Sequence, residues 1–268
     1  MKKTFNVGYY ERDRKNQATP LLSSIRKYIL FPKDNAVTSS LIHGWVYEPY
    51  MFSFISDNLI NLEGTDIIDV GANNGHFTIE FAHYAGNNGR VYAFEPQRVV
   101  FQQMCGNVFL NGLDNVYTYN VAIGKDHGLV NVEKPNYFDN GDVNFGDVHV
   151  ISGDEGDHNM VPIWKLDDIQ FNNVSLIKMD IQGFEPYAIS GATETINKHR
   201  PYIFIEIEGD QLTKYGFSEE QLIKQIEDLN YVVKRFQEGI PYHTKSGVCL
   251  DCVCIPKEKY EVETYKIR

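Results

Sequence analysis

The sequence predicts an α/β fold: a mostly parallel sheet with helices on both faces, ending in an antiparallel hairpin. Three observations predict it. Short, nearly continuous apolar runs alternate with helical patterns along most of the chain, the signature of a sheet covered on both sides. The first of these runs, in "IIDVGANNGHFTIEFA", stops on Asp69 and turns through glycines into an amphipathic segment. The last two runs enclose only "QEGIPYHTKSG", too short for a crossover helix, so they must pair antiparallel.

In chain order, residues 1–40 read as a basic, partly ordered leader, and residues 41–268 as the main domain. "TSSLIHGWVYEPYMFSFISDNLINLEG" reads as one or two helices closed by Gly64. The candidate strands are Asp66–Val70, Arg90–Phe94, Val116–Ala122, Leu176–Asp180, Tyr202–Ile207, Tyr231–Phe236 and Val248–Ile255. Helices are expected over Gly75–Ala85, Arg98–Asn111, Phe184–Ile189 with an extension to Asn197, and Ser218–Leu229. Ser218 followed by Gln221 gives the last of these a capping box. Between about 134 and 160 the alternation lapses into polar, glycine-rich sequence, expected to form an acceptor-side lid, loop or small hairpin. Its acids do not match calcium-loop spacing.

Composition removes several classes of function. No run approaches the roughly 18 apolar residues that would span a bilayer, and the lysines at the start precede no apolar signal core. Four cysteines suit a reducing compartment, so a cytoplasmic protein is expected. Cys249, Cys252 and Cys254 lie close together, with His243 the nearest fourth ligand, but a terminal strand tucking small thiols into the core accounts for them. The net charge of −11 is uneven: residues 1–33 carry eight Lys/Arg against two acids, leaving the remainder at −17. So acidic a body repels phosphate backbones and argues against nucleic acid as the main partner. The leader reads as a solvated arm.

In open α/β sheets, ligands bind beyond the carboxyl ends of the strands, where strand order reverses. Gly71-Ala72-Asn73-Asn74-Gly75 lies at that place, and glycines there let backbone approach a ligand. The second strand ends in "YAFEP", so Glu95 stands at its tip, where an acid accepts bonds from ribose hydroxyls. A nicotinamide cofactor would prefer Gly at positions 71, 73 and 76, where this chain has Gly71, Asn73 and His76. Asp69 would also repel a pyrophosphate. The acid suits a cationic nucleoside instead, and S-adenosylmethionine carries a sulfonium, an ammonium and the ribose.

"IIDVGANNGHFTIEFA", "VYAFEPQ", "NVAIGKDHG", "KLDDI", "VSLIKMDIQGFEPYAISGA" and "RPYIFIEI" resemble, in order, the blocks of FkbM-type S-adenosylmethionine-dependent methyltransferases, from about Gly44 to Glu208. The resemblance implies a Rossmann-like seven-stranded methyltransferase sheet and O-methylation of sugar, glycan or related hydroxyls. It places Asp69, Gly71, Asn73, Gly75 and Thr78 around the methionine part of the donor, Glu95 on the ribose, Ala122 near the adenine and Glu48 beside the cofactor. The family typically has Glu where this chain has Gln182.

A sugar hydroxyl is a poor nucleophile, so the acceptor must be aligned and its proton removed. Lys178, Asp180, Glu185 and Glu206 sit near strand carboxyl ends. Asp180 is the expected general base or metal ligand, with Glu206 second, and Asp180 and Glu206 are the ligands if a divalent cation such as Mg²⁺ takes part. Glu185 is expected to orient the site, and Lys178 to polarise the acceptor oxygen or form a structural ion pair. Gln182 weakens the case for a metal. The competing readings are an RNA ribose 2′-O-methyltransferase, for which a second lysine is missing, and a catalytically silent binding subunit. Tyr137, Phe138 and Phe145 are candidates for stacking on a sugar ring.

Overall fold

A computed structural model describes residues 8–12, 26–31, 34, 37–58, 60–137, 144, 146–151, 158–236, 250–262 and 265–267. Strands β1 (Gly8–Arg12) and β2 (Arg26–Leu30) form an antiparallel pair. Helices α1 (Val37–Ile42) and α2 (Pro49–Asp57) lead into the main sheet. There β3 (Asp66–Val70), α3 (His76–Ala85), β4 (Arg90–Phe94), α4 (Arg98–Leu110) and β5 (Val116–Tyr119) follow one another. A second sheet interrupts: β6 (Ala122–Ile123), β7 (Gly128–Glu133), β8 (Val150–Ile151) and β9 (His158–Trp164). The main sheet resumes with β10 (Val174–Met179), α5 (Glu185–Ser190), α6 (Thr193–His199) and β11 (Tyr202–Glu206). It closes with α7 (Gly209–Thr213), α8 (Glu219–Asp228), β12 (Tyr231–Arg235), β13 (Asp251–Pro256) and α9 (Lys257–Tyr260).

The seven strands lie in the order β12-β13-β11-β10-β3-β4-β5. β11, β10, β3, β4 and β5 pair in parallel, while β13 runs antiparallel to both β11 and β12. The order therefore reverses between β3 and β10, which sets the ligand crevice at their carboxyl ends. All five residues of β3 are buried because both faces are covered. Ile68 and Val70 join one core with Ala188, Ile189, Leu222 and Ile226, whereas Ile67 on the opposite face joins Phe77, Phe81 and Phe54. The expected capping box is present: Ser218 Oγ accepts from the Gln221 amide at 3.3 Å, and Gln221 Oε1 from the Ser218 amide at 2.8 Å.

Four expectations are revised. The helical pattern from Phe184 to Asn197 breaks into α5 and α6 at Gly191, where a Cβ would fall 2.0 Å from the Gly124 carbonyl oxygen. The strand expected over Val116–Ala122 stops at Tyr119, and Asn120 then turns the chain by donating to the carbonyls of Glu95 and Pro96 at 2.8 and 2.9 Å. The interruption after β5 is a four-stranded sheet, β6-β9-β7-β8, which opens before 134 and continues past 160.

The leader's second half is a built part of the domain rather than a solvated arm. Tyr28 and Leu30 are buried against Ile79, and Arg26 is buried with its guanidinium 3.4 Å from Glu80. β2 also meets α4 through side chains that act as a surrogate strand: Asn107 Oδ1 accepts from the Ile29 amide at 2.5 Å, and Asn111 Nδ2 donates to the Lys27 carbonyl at 2.7 Å. Cys252 and Cys254 lie buried in one core, and Cys249 and His243 fall outside the described residues. Among the described residues no helix is long and apolar enough to cross a membrane.

Candidate active site

One pocket occupies the crevice between the ends of β3, β4 and β10. Gly71, Asn73 and Glu95 line one part of it, Ala122 and Ile123 another, and Lys178, Asp180 and Gln182 a third. The glycine loop is shaped by close approach. Gly71 has φ +77°, and a Cβ there would fall 2.0 Å from the Asp180 carbonyl oxygen, so the first loop position requires glycine. Its amide and that of Ala72 both donate to the Phe94 carbonyl at 3.0 Å, tying the loop to the end of β4. Asn73 follows at φ +50°. Gly75, at φ +84°, stands just before α3, where a Cβ would press on Met104.

Glu95 is 5% exposed and oriented from both sides. The Asn73 amide donates to Oε2 at 2.9 Å and the Gln97 amide to Oε1 at 2.8 Å. Burial pushes its carboxyl up to about 7, against the pull of those two amides. Each oxygen keeps a second lone pair, so the group can take a pair of vicinal hydroxyls. The residues thus fit a ribose.

Not every predicted residue faces the pocket. Asp69 is wholly buried behind the loop, where Thr78 Oγ1 donates to its Oδ2 at 2.6 Å, so these two hold one another rather than surround a ligand directly. Burial raises the Asp69 carboxyl above its ordinary range. Its Oδ1 accepts no hydrogen bond among the described residues, and the nearby Lys178 ammonium partly offsets the cost of burying the carboxyl. Glu48 is likewise off the pocket lining: it stands at the start of α2, is 6% exposed and has φ +46°. Burial and nearby Asp251 raise its carboxyl well above the ordinary range.

On the acceptor side, β10 delivers Lys178 and Asp180. Lys178 is buried, with Nζ 3.4 Å from Asp180 Oδ2 and 4.9 Å from the centre of the Phe77 ring. Burial pulls the ammonium down, but Asp180, Asp69, Glu48 and Asp251 outweigh it and raise Lys178 above its ordinary range. Gln182, at φ +56°, places its amide nitrogen between two carboxylates, donating to Asp180 Oδ1 at 3.0 Å and Glu206 Oε2 at 3.2 Å. Its Oε1 in turn accepts from Gln211 on α7 at 3.2 Å. Glu185 is buried and turned back, its Oε1 accepting from the Ile181 amide at 2.9 Å, and burial pushes it up to about 8. It clamps the turn after β10 and does not line the pocket.

Asp251 escaped the sequence reading. It sits across from Glu206 in the β11–β13 register, accepts from Tyr50 Oη, and is pushed up to about 6 by burial. Only the pairing of β13 with β11 could have revealed it. The inserted sheet contributes Val148 and Val150 to the pocket, and Gly146 comes so near Asn73 that a Cβ would lie 2.7 Å from its Nδ2. Tyr137 is engaged in packing: Oη donates to Gln97 at 2.9 Å and the ring lies 6.1 Å from Phe31. Phe138 and Phe145 lie outside the described residues.

A divalent cation does not fit between Asp180 and Glu206. The amide hydrogens of Gln182 already bridge the two carboxylates, and a donor facing that space opposes a metal. Among the described residues no group of three or more His, Cys, Asp and Glu is arranged to hold a metal ion.

The family model described as the methyltransferase FkbM domain matches residues 69–233. No curated protein matches the chain. Among solved structures, a methyltransferase FkbM from Methylobacillus flagellatus shares 21% identity over 78% of this chain at a TM-score of 0.48, and the chain spans 48% of that protein's length. A SAM-dependent methyltransferase from Aquifex aeolicus shares 18% identity over 78% of this chain and 88% of its own, at a TM-score of 0.42. A SAM-dependent O-methyltransferase from Thermotoga maritima shares 14% identity over 87% and 74% of the two chains, at 0.47.

Proposed function

The chain belongs to the FkbM methyltransferase family, and from that premise we propose that it transfers a methyl group from S-adenosylmethionine to a hydroxyl of a sugar, glycan or related small molecule. The observation that carries this reading is one pocket with Gly71, Asn73 and Glu95 in one part and Lys178 and Asp180 in another.

When bound, the donor supplies a methyl carbon already activated by its sulfonium. The chain's residues do the rest. Glu95 would hold the ribose hydroxyls, and the Gly71 turn would admit the rest of the donor close to backbone. The buried charge of Asp69 favours the cationic end of such a nucleoside and disfavours a pyrophosphate. Ala122 and Ile123 offer a small apolar surface for the adenine.

Asp180 is the general base in this reading. It is the carboxylate on the acceptor part of the lining, and the Gln182 amide and Lys178 ammonium fix one oxygen each, leaving lone pairs for a hydroxyl proton. Lys178 stabilises negative charge that develops on the acceptor oxygen beside Asp180. Glu206 and Glu185 position: the first shares the Gln182 amide, the second fixes the turn that carries it. A ribose methyltransferase of the Lys–Asp–Lys–Glu kind would need a second lysine in the site. Lys178 is the lysine on the pocket lining, and Lys198 stands exposed on α6.

The test is transfer of labelled methyl from S-adenosylmethionine to a panel of glycosides and to capped RNA. Label on a glycoside oxygen is expected; label on RNA alone would overturn the reading.

A further inference from the structure

Asp180 stands at the inner end of a chain of side-chain amides whose outer end lies against the inserted sheet. Gln182 places its amide hydrogens on two carboxylates, Asp180 Oδ1 at 3.0 Å and Glu206 Oε2 at 3.2 Å. Turned over, it would set its carbonyl oxygen against two acceptors, so its orientation is forced. Its Oε1 must then face a donor, and Gln211 Nε2 on α7 lies 3.2 Å away. The outer end of Gln211 is forced as well, because Lys214 Nζ, which can only donate, stands 2.7 Å from its Oε1. The two amides therefore run head to tail, from the Lys214 ammonium to the Asp180 carboxylate. Hydrogen bonds aligned in this way polarise one another.

The inserted sheet completes the outer end. His149, just before β8, has its Nε2 2.7 Å from Gln211 Oε1 and 2.8 Å from Lys214 Nζ. Glu133 on β7 takes the proton of His149 Nδ1 at 3.0 Å and accepts from the His149 backbone amide at 3.2 Å. A neutral His149 then accepts from Lys214, and a charged one donates to Gln211, so in both forms Gln211 Oε1 meets a cationic donor. Asp147 Oδ1 accepts from Gln211 Nε2 at 3.4 Å. Val148 and Val150, on either side of His149, line the pocket, and Tyr215 Oη donates to the Val150 carbonyl at 3.0 Å. The segment that walls the pocket and the amide that supports Asp180 are thus fastened to one side chain, Gln211.

Resting on the methyl-transfer reading, we propose that Gln211 is a positioning residue for the general base. It donates to Gln182, which in turn fixes Asp180 Oδ1 while Lys178 fixes Oδ2, so the carboxylate is aimed at the acceptor hydroxyl when the inserted sheet is seated on α7. Lys214 and His149 hold Gln211 in its donating orientation.

The experiment compares Gln211→Glu and Gln211→Met with the unaltered full chain. Labelled methyl is transferred from S-adenosylmethionine to whichever of methyl glucoside, methyl galactoside and methyl rhamnoside the unaltered chain labels. Gln211→Glu keeps an oxygen for Lys214 and His149 but sets a second oxygen, which donates nothing when ionised, against Gln182 Oε1. It therefore separates the relay from a merely structural tie, which Gln211→Met removes at both ends. Both variants should lower kcat by about tenfold or more, the effect of a misaimed group, with KM for the glycoside within about threefold. Calorimetric affinity for S-adenosylhomocysteine should stay within about twofold, which also shows that both are folded. Turnover of either variant within about twofold of the unaltered chain, a loss confined to KM, or a loss matched by S-adenosylhomocysteine affinity overturns the inference. Absence of transfer by the unaltered chain to any of the glycosides overturns the methyl-transfer reading instead, so the two failures are distinguishable.

Discussion

Replacing Gln182 by Glu tests the architecture of the acid wall through a signature that depends on pH. The Gln182 amide donates to Asp180 at 3.0 Å and to Glu206 at 3.2 Å. An ionised carboxylate in its place would face Asp180 across about the same gap, a repulsion of about 5 kcal/mol at an effective dielectric of 20, on top of the cost of burying the new charge beside Glu206. Taking up a proton is cheaper. At pH 8, protonating a carboxyl with an unfolded value of about 4.3 costs about 5 kcal/mol, and at pH 5 about 1 kcal/mol. The variant therefore folds with that carboxyl protonated, having lost one charge-assisted hydrogen bond worth roughly 1.5–3 kcal/mol. The new carboxyl has a folded value raised above its unfolded one. Its stability is thus complete below about pH 4.3 and is lost as pH rises toward the folded value. Urea unfolding of Gln182→Glu and the unaltered chain at pH 5 and pH 8 should show the gap between them widening by about 4 kcal/mol across that interval. A gap that stays constant with pH would refute the placement of Gln182 between two carboxylates.

Other residues make separate claims. Asp180→Asn should abolish turnover, measured by label transfer, while calorimetric affinity for S-adenosylhomocysteine stays within about twofold; retained turnover with lost binding would move Asp180 to the donor site. Glu95 is pushed up to about 7 by burial, so its full accepting form appears only as pH rises, and S-adenosylhomocysteine affinity should increase from pH 6 to pH 8 and lose that slope in Glu95→Gln. The same raised carboxyl, with Glu185 at about 8 and Asp251 at about 6, favours the folded ligand-free chain at low pH and withdraws that contribution as pH climbs through those values. Arg26→Ala leaves Glu80 buried without its cation and should cost about 3–5 kcal/mol in urea unfolding, with a loss under 1 kcal/mol contradicting the docked position of β2.

The parts of this molecule that the sequence reveals are those set by local periodicity. β3, β4, β10 and β11 are continuous apolar runs, each ending at an acid or glycine, and those endings alone place Gly71, Glu95 and Asp180 at the ligand crevice whose pocket they line. What stayed hidden depends on contacts distant in sequence. Asp251 is a single acid beside two thiols and acquires meaning only because antiparallel register sets it opposite Glu206. Arg26 looks like one more charge of a basic leader until Glu80, 54 positions later, proves to be buried beneath it. Gly191 breaks a good helical pattern because Gly124 backbone passes 2.0 Å from where its Cβ would be. The departure at Gln182 was visible in sequence, but that its amide joins Asp180 to Glu206 required the left-handed turn that aims it.

The crevice at the head of the sheet is claimed to accept a cationic nucleoside and to refuse a pyrophosphate. Titrating the full chain by calorimetry with S-adenosylmethionine and, separately, with NAD measures that preference directly. The account predicts saturable binding of S-adenosylmethionine, weakened at least about tenfold by Glu95→Ala, and no binding of NAD. Tighter binding of NAD, or S-adenosylmethionine affinity indifferent to Glu95, would contradict it.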